Sequence, residues 1–467
     1  MSITKSSESA PLARLTRTTK LGYAVGDFGL NLVWNAMSLF MIFFYTDVLG
    51  LSPWWAGFAF MIASIWDGLT DPIMGSLADR THSAQGQYRP YLIYGALPLA
   101  ACFTLAFLTP DLSAGLLIAY ATLSHMLLRT AYTVVSIPYA ALTAALTEYA
   151  DERASLAGLR MQAAALGAIT VAVLLQALPR HFQPNPAQGF FWGTVILGVV
   201  MCVALLICYK ATAGARRTST DASASEPITL KSLANDWWLV LGLLRINVPL
   251  RRLFLALMAF AFASTFFSKN VLYYFKYALG DSKSGDLALP VLALALILAC
   301  PFWVKLAQHT SKRAVWLIAS LLMTFVYLLF YFNPSKNPML SVAIIGLSGV
   351  ATAAFYVMFW AMLPDTIEVN ESITGQRHEG KVFGFANFAL KLALGLAALG
   401  LGAALEFIGF QAGVAQSQST IDGLAKLMLI LPLSGLAIGA LLLWRYDLSA
   451  EKHQELVARI RANKGNL

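Results

Sequence analysis

Uncharged, apolar runs recur along almost the whole of this 467-residue chain. Phe28–Thr46, Val48–Trp66, Pro90–Pro110, Thr130–Thr147, Met161–Pro179 and Phe182–Tyr209 lie in its first half. Leu253–Ser268, Leu287–Val304, Ala314–Ser335, Asn337–Pro364, Leu392–Leu405 and Leu427–Trp444 lie in its second. A helix needs about 20 apolar residues to cross a bilayer. Allowing for charges that interrupt a span, the pattern predicts an all-α membrane protein of twelve transmembrane helices in two six-helix bundles. Transmembrane strands are excluded, because the runs far exceed about 11 residues and lack a period of two. Composition agrees: 58% of residues are hydrophobic and only 12% charged, where a soluble chain carries about 25% charged residues.

The polar stretch around Lys210–Trp237 separates the two sets of runs and is rich in Ser, Thr and Ala, as a linker is. The expected organisation is a segment 1–20, a bundle 21–209, a linker 210–250, a second bundle 251–445 and a tail 446–467. Two sets of six suggest structural repeats. Met1–Lys20 carries Lys5, Arg14, Arg17 and Lys20 with no apolar core, so it does not read as a signal peptide. With twelve spans both termini share a side. Most Lys and Arg fall on that side, and the opposite loops hold Arg180, Lys283 and Lys336, so both termini are expected in the cytoplasm. The net charge of +9 is scattered through an apolar chain and does not point to nucleic acid. The four cysteines lie in apolar stretches and read as free thiols.

The strongest local signal is Ile65-Trp66-Asp67-Gly68-Leu69-Thr70-Asp71-Pro72 in the second span. The i,i+4 spacing puts both carboxylates on one helix face. Counted from Asp79 at 1.5 Å per residue, Asp71 lies about 12 Å deep and Asp67 about 18 Å deep. Two ionised carboxylates in a dry interior need a proton, a metal cation or a basic side chain. A hard cation such as Na⁺ prefers oxygen ligands, and Thr70 and Thr133 can add oxygens to Asp67 and Asp71. A structural alternative pairs one aspartate with Lys391 and turns the other to a loop. Asp79, Arg80 and Arg89 surround the turn at Gly86, and Asp365, Glu368, Glu371 and Arg377 cluster between the tenth and eleventh spans. Such opposite charges at helix ends are candidate gating groups whose ion pairs break as two halves rock. Lys391 and Arg160 lie within spans, whereas Arg129 and Lys269 are expected nearer an outer face, where long side chains snorkel. His125 reads as packed. Gly395–Gly402 suits close helix packing. No nucleophile–base, zinc or phosphate-loop pattern stands out, so no enzyme is expected.

Gly22-Tyr23…Gly26-Asp27…Asn31, Tyr45-Thr46-Asp47, Trp66-Asp67…Asp71-Pro72, Gly86…Arg89-Pro90 and Ile137-Pro138-Tyr139, in this order, resemble the glycoside–pentoside–hexuronide:cation symporter family of the major facilitator superfamily. The resemblance runs from about Lys20 to Arg445. It implies that superfamily's fold, alternating access and a coupling Na⁺, Li⁺ or H⁺ at Asp67 and Asp71, with Thr133 contributing. Lys391 corresponds to a lysine near the cation site, and Arg160 to an arginine lining the sugar cavity. Two sugar-binding aspartates of the family's melibiose permease correspond to Asn31 and Ser136. With those carboxylates gone and Arg160 as anchor, the pocket is expected to tolerate an acidic sugar, such as a uronide, better than that permease does, a neutral sugar held by Asn31 and Ser136 being the alternative.

The expected function is therefore cation-coupled (Na⁺ or H⁺) symport of a sugar, glycoside or uronide in the cytoplasmic membrane. The alternative is symport of a lysolipid or other amphiphile. Expected partners are a small-molecule substrate and the bilayer, with no nucleic acid, no obligate protein partner and no cofactor beyond the coupling cation.

Overall fold

The computed structural model describes residues 14–81, 83–147, 149–213, 230–333, 337–376, 378–448 and 450–465. Among these residues the chain is all helical. The first half holds α1 (Arg17–Asp47), α2 (Pro53–Asp79), α3 (Arg89–Tyr94), α4 (Ala96–Ala106), α5 (Ala114–Leu146), α6 (Ala150–His181) and α7 (Pro186–Ala211). After α8 (Leu230–Ile246) come α9 (Val248–Tyr273), continued to Ala278 as a π-helical turn, α10 (Ser282–His309), α11 (Lys312–Tyr331), α12 (Pro338–Thr374), α13 (Glu379–Phe407), α14 (Gln418–Leu427), α15 (Ile430–Trp444) and α16 (Ala450–Gly465). Nine helices among the described residues are long and apolar enough to cross a bilayer.

Local chemistry sets the ends of these helices. Thr16 accepts a bond from the Thr19 amide at the start of α1. Asn337 caps α12 in the same way, ahead of Pro338 in its first turn. Gly375 ends α12 at φ +72°, a conformation that favours glycine. Pro72 lies inside α2, one residue after Asp71, and has no N–H to give to the preceding turn.

Within the first half α1 packs on α6 and α7, and α2 on α5; within the second, α10 packs on α12 and α9 on α15. The halves meet chiefly where α2 lies along α13 and α6 along α10. The α2–α13 seam depends on absent side chains. A Cβ on Gly402 would sit 2.1 Å from the Pro53 carbonyl oxygen, and one on Gly57 2.6 Å from that of Ala398. Backbones this close gain dispersion contacts that lipid cannot supply.

One expectation about depth is corrected. The run Thr130–Thr147 is the second part of a longer helix, α5, whose middle is Arg129. Arg129 is 1% exposed and therefore does not snorkel to a surface.

Candidate functional site

Asp67 and Asp71 sit on α2 where it faces α5 and α13. Asp67 is fully buried. The Thr133 hydroxyl on α5 lies 2.8 Å from Asp67 Oδ1 and 3.1 Å from Asp71 Oδ1, so one O–H reaches both carboxylates. Lys391 Nζ crosses from α13 and lies 2.5 Å from Asp71 Oδ2 and 2.9 Å from Asp67 Oδ2. Arg129 Nη1 donates to Asp67 Oδ2 at 3.0 Å. All four carboxylate oxygens thus face a protein N–H or O–H. Two anions meet two cations in a cluster spanning the halves. Thr70 turns elsewhere: its hydroxyl donates to the Asp67 backbone carbonyl at 3.1 Å.

Arg129 is the member that sequence reasoning set aside. It is held on several sides. Its Nε lies 3.2 Å from His125 Nε2, and its guanidinium stands 5.3 Å from the centroids of both Trp34 and Phe60. Lys269, also buried, has its Nζ 4.1 Å from the centroid of the same Phe60 ring. The available signal was the i,i+4 spacing of His125 and Arg129 with Thr133 one further turn along, a single polar stripe on an apolar helix.

A second polar group lies on α1. Asp27, Asn31 and Trp34 succeed one another at helical spacing on one face. Arg160 Nε on α6 donates to Asp27 Oδ1 at 2.9 Å, and Asn31 Nδ2 donates to Asp27 Oδ2 at 3.1 Å. Arg160 keeps about a third of its side chain exposed and stands 5.3 Å over the Tyr139 ring. Ser136 is half-buried on α5, one turn from Thr133. Arg160, expected to anchor an acidic sugar, is thus already paired. Asp27, part of the quoted motif but given no role, supplies its countercharge. Trp34, one turn beyond Asn31 on α1, lies 5.3 Å from the Arg129 guanidinium and packs 5.6 Å from Tyr132.

Of the candidate gating residues, Asp79, Arg89, Asp365 and Glu368 bond within their own halves. Tyr88 donates to Asp79 Oδ1 at 2.9 Å, and Arg89 donates to the Tyr209 carbonyl at 2.7 Å while lying over that ring. Arg80 is exposed at the end of α2. Lys312 pairs with Asp365 at 2.6 Å, His453 of α16 bonds Glu368, and Glu371 is buried on α12. Arg377 lies outside the described residues. The opposite end of the bundle is tied across the halves by several contacts among the described residues. Asp47 meets Lys276 at 2.6 Å and accepts a bond from Tyr277, Thr46 and Tyr273 hydroxyls lie 2.8 Å apart, and Arg180 pairs with Asp286.

This arrangement was compared with known proteins. Residues 22–450 match the family model described as MFS/sugar transport protein. The chain is 30% identical over 457 residues to the uncharacterized symporter YnaJ of Bacillus subtilis, covering 97% of this chain and 96% of that one. It is 29% identical to the putative glycoside/cation symporter YagG of Escherichia coli, over 86% and 85% of the two chains. The crystal structure of the nucleoside transporter NupG shares the fold, with a TM-score of 0.63 at 13% identity over 92% of this chain and all of that one.

Proposed function

The chain belongs to the MFS/sugar transport protein family, and from that premise we propose that it is a cation-coupled symporter of a sugar, glycoside or uronide. It is a multi-pass membrane transporter and not an enzyme. Alternating access of two six-helix halves moves the substrate, with twelve spans formed by α1, α2, α3 with α4, α5, α6, α7, α9, α10, α11, α12, α13, and α14 with α15. The proposed boundaries are 21–209 and 251–445 for the halves, with a linker 210–250. Both termini are placed in the cytoplasm, where Lys and Arg accumulate.

One observation carries the reading: the cluster of Asp67, Asp71, Arg129 and Lys391 joins α2 to α13 across the halves. A rocking motion must strain or break it, so a ligand that alters its charge biases the motion. Asp27, Asn31, Ser136 and Arg160 form the proposed sugar site beside it, because paired donors and acceptors at depth suit hydroxyl groups. Coupling between the two is reciprocal by linkage. The ion pairs at Asp47 and Arg180 support a state closed at that end, with Asp79, Arg89, Asp365, Glu368, Glu371 and Arg377 closing the other end in the alternate state.

The test is uptake into proteoliposomes of neutral and uronic glycosides under an imposed Na⁺ or pH gradient. Accumulation of unaltered sugar against its gradient is expected. Failure of both gradients to drive any glycoside would defeat the proposal.

A further inference from the structure

The family resemblance puts a coupling Na⁺ or Li⁺ between Asp67 and Asp71, and the residues present do not fit one. A hard cation needs a cage of oxygens free to point at it. Here Asp67 Oδ2 faces Arg129 Nη1 at 3.0 Å and Lys391 Nζ at 2.9 Å. Asp71 Oδ2 faces Lys391 Nζ at 2.5 Å, and both Oδ1 atoms face the Thr133 hydroxyl. The Thr70 hydroxyl is directed to the Asp67 backbone carbonyl. Among the described residues no three His, Cys, Asp or Glu side chains gather as a metal site.

Charge leads to the same conclusion. Two carboxylates are balanced by Lys391 and Arg129, and arginine does not lose its proton in proteins. A metal ion would add a third positive charge where the low dielectric magnifies repulsion. Lys391 is 15% exposed and can withdraw, but Arg129 is 1% exposed and held by His125, Trp34 and Phe60. Withdrawal of Lys391 would leave Asp71 alone as a charged ligand, with Asp67 still neutralised.

We infer that Arg129 is a tethered cation that occupies the Asp67 side of the acid pair, and that the transporter consequently binds neither Na⁺ nor Li⁺ there. Arg129 is then the residue that determines ion specificity in a site whose carboxylates alone would accept an alkali metal. The inference rests on the symporter reading for its meaning, but its test does not use transport.

Thermal unfolding of the purified protein in detergent is followed as choline is replaced by Na⁺ or Li⁺ at constant ionic strength. The wild type is expected to show no saturable rise in Tm. Arg129→Gln is expected to acquire one, because two carboxylates then face Lys391 alone, the site is net negative, and withdrawal of the partly exposed Lys391 frees Asp67 Oδ2 for a metal ion. Arg129→Lys, which retains the charge, is expected to remain unresponsive. A saturable Na⁺ or Li⁺ response in wild type would overturn the inference, and this arm stands even if Arg129→Gln fails to fold. An unresponsive, folded Arg129→Gln would also overturn it, because something other than Arg129 would then exclude the metal. A failure of gradient-driven uptake, by contrast, would defeat the symporter reading and leave these binding results unaffected.

Discussion

At the residue scale, the two aspartates of α2 are not equivalent. Asp67 is fully buried and is the anion for an Arg129 that has no route to water. Asp71 is about one-fifth exposed and shares Lys391, itself partly exposed. Removing one partner of a buried ion pair leaves an uncompensated charge, a loss of about 3–5 kcal/mol. Asp67→Asn is therefore expected to lower Tm in detergent clearly more than Asp71→Asn, with the double variant Asp67→Asn/Arg129→Gln recovering part of the loss. Equal losses in the two single variants would show that the Arg129 pair is not the source. Both single variants are expected to lose gradient-driven accumulation.

Asp27 supports a second prediction at this scale. With Arg160 paired at 2.9 Å and Asn31 at 3.1 Å, the proposed sugar site presents a bonded carboxylate–guanidinium pair. A uronic acid entering it would meet Asp27 as a like charge, whereas a neutral glycoside can share the bonds of both groups. Wild type is expected to bind a neutral glycoside more tightly than its matched uronide, and Asp27→Asn to reverse that order by freeing the Arg160 fork. Titration calorimetry of the two ligands checks both. An unchanged order in Asp27→Asn would sink the assignment.

At the element scale, the start of α1 is tied to the start of α6, outside the spans, through Glu152. The Leu15 amide donates to its Oε1 at 2.9 Å, Thr147 to its Oε2 at 2.7 Å, and Lys20 lies 3.2 Å away. Burial works to raise the carboxyl, but these bonds outweigh it and hold the group below its ordinary value of 4.5. A depressed carboxyl stabilises the fold above the unfolded value, and that stability is lost as pH falls through the folded one. Hydrogen exchange at the Leu15 amide is therefore expected to be slow at neutral pH after correction for intrinsic rate, and to speed up as pH drops below 4.5. Glu152→Gln should exchange fast throughout. Protection that persists in Glu152→Gln would show that other contacts anchor α1.

At the scale of the whole molecule, two further ion pairs, besides those of Lys391 with Asp67 and Asp71, join the halves at the end of the bundle away from the termini. A cavity of about 180 Å³ there is lined by Phe43, Gln176, Arg180 and Lys276 among others. Combining Lys276→Gln with Asp286→Asn removes the two cross-half pairs at that end, Asp47–Lys276 and Arg180–Asp286. The population should shift toward opening at that end. A cysteine at Phe43 should then react faster with a membrane-impermeant maleimide than it does with the pairs intact. An unchanged labelling rate would mean that the α2–α13 seam, and not these pairs, sets the closed state.

The sequence by itself determined the class of the molecule, because bilayer thickness turns apolar run length directly into helices. It also determined that Asp67 and Asp71 share a face, because helical spacing is local, and its glycine pattern anticipated the seam where Gly402 meets Pro53. Tertiary structure alone decided the partners. Arg129 lies 62 residues from Asp67, Lys391 lies 320 from Asp71 and Arg160 lies 133 from Asp27. No local rule selects such contacts, since each depends on which helix faces which and at what depth. Arg129 was misplaced because the apolar run stopped at its charge, whereas α5 continues through it. A buried charge interrupts the hydropathy pattern in the same way as a helix end does, and only the packed fold distinguishes the two by supplying the opposite charge.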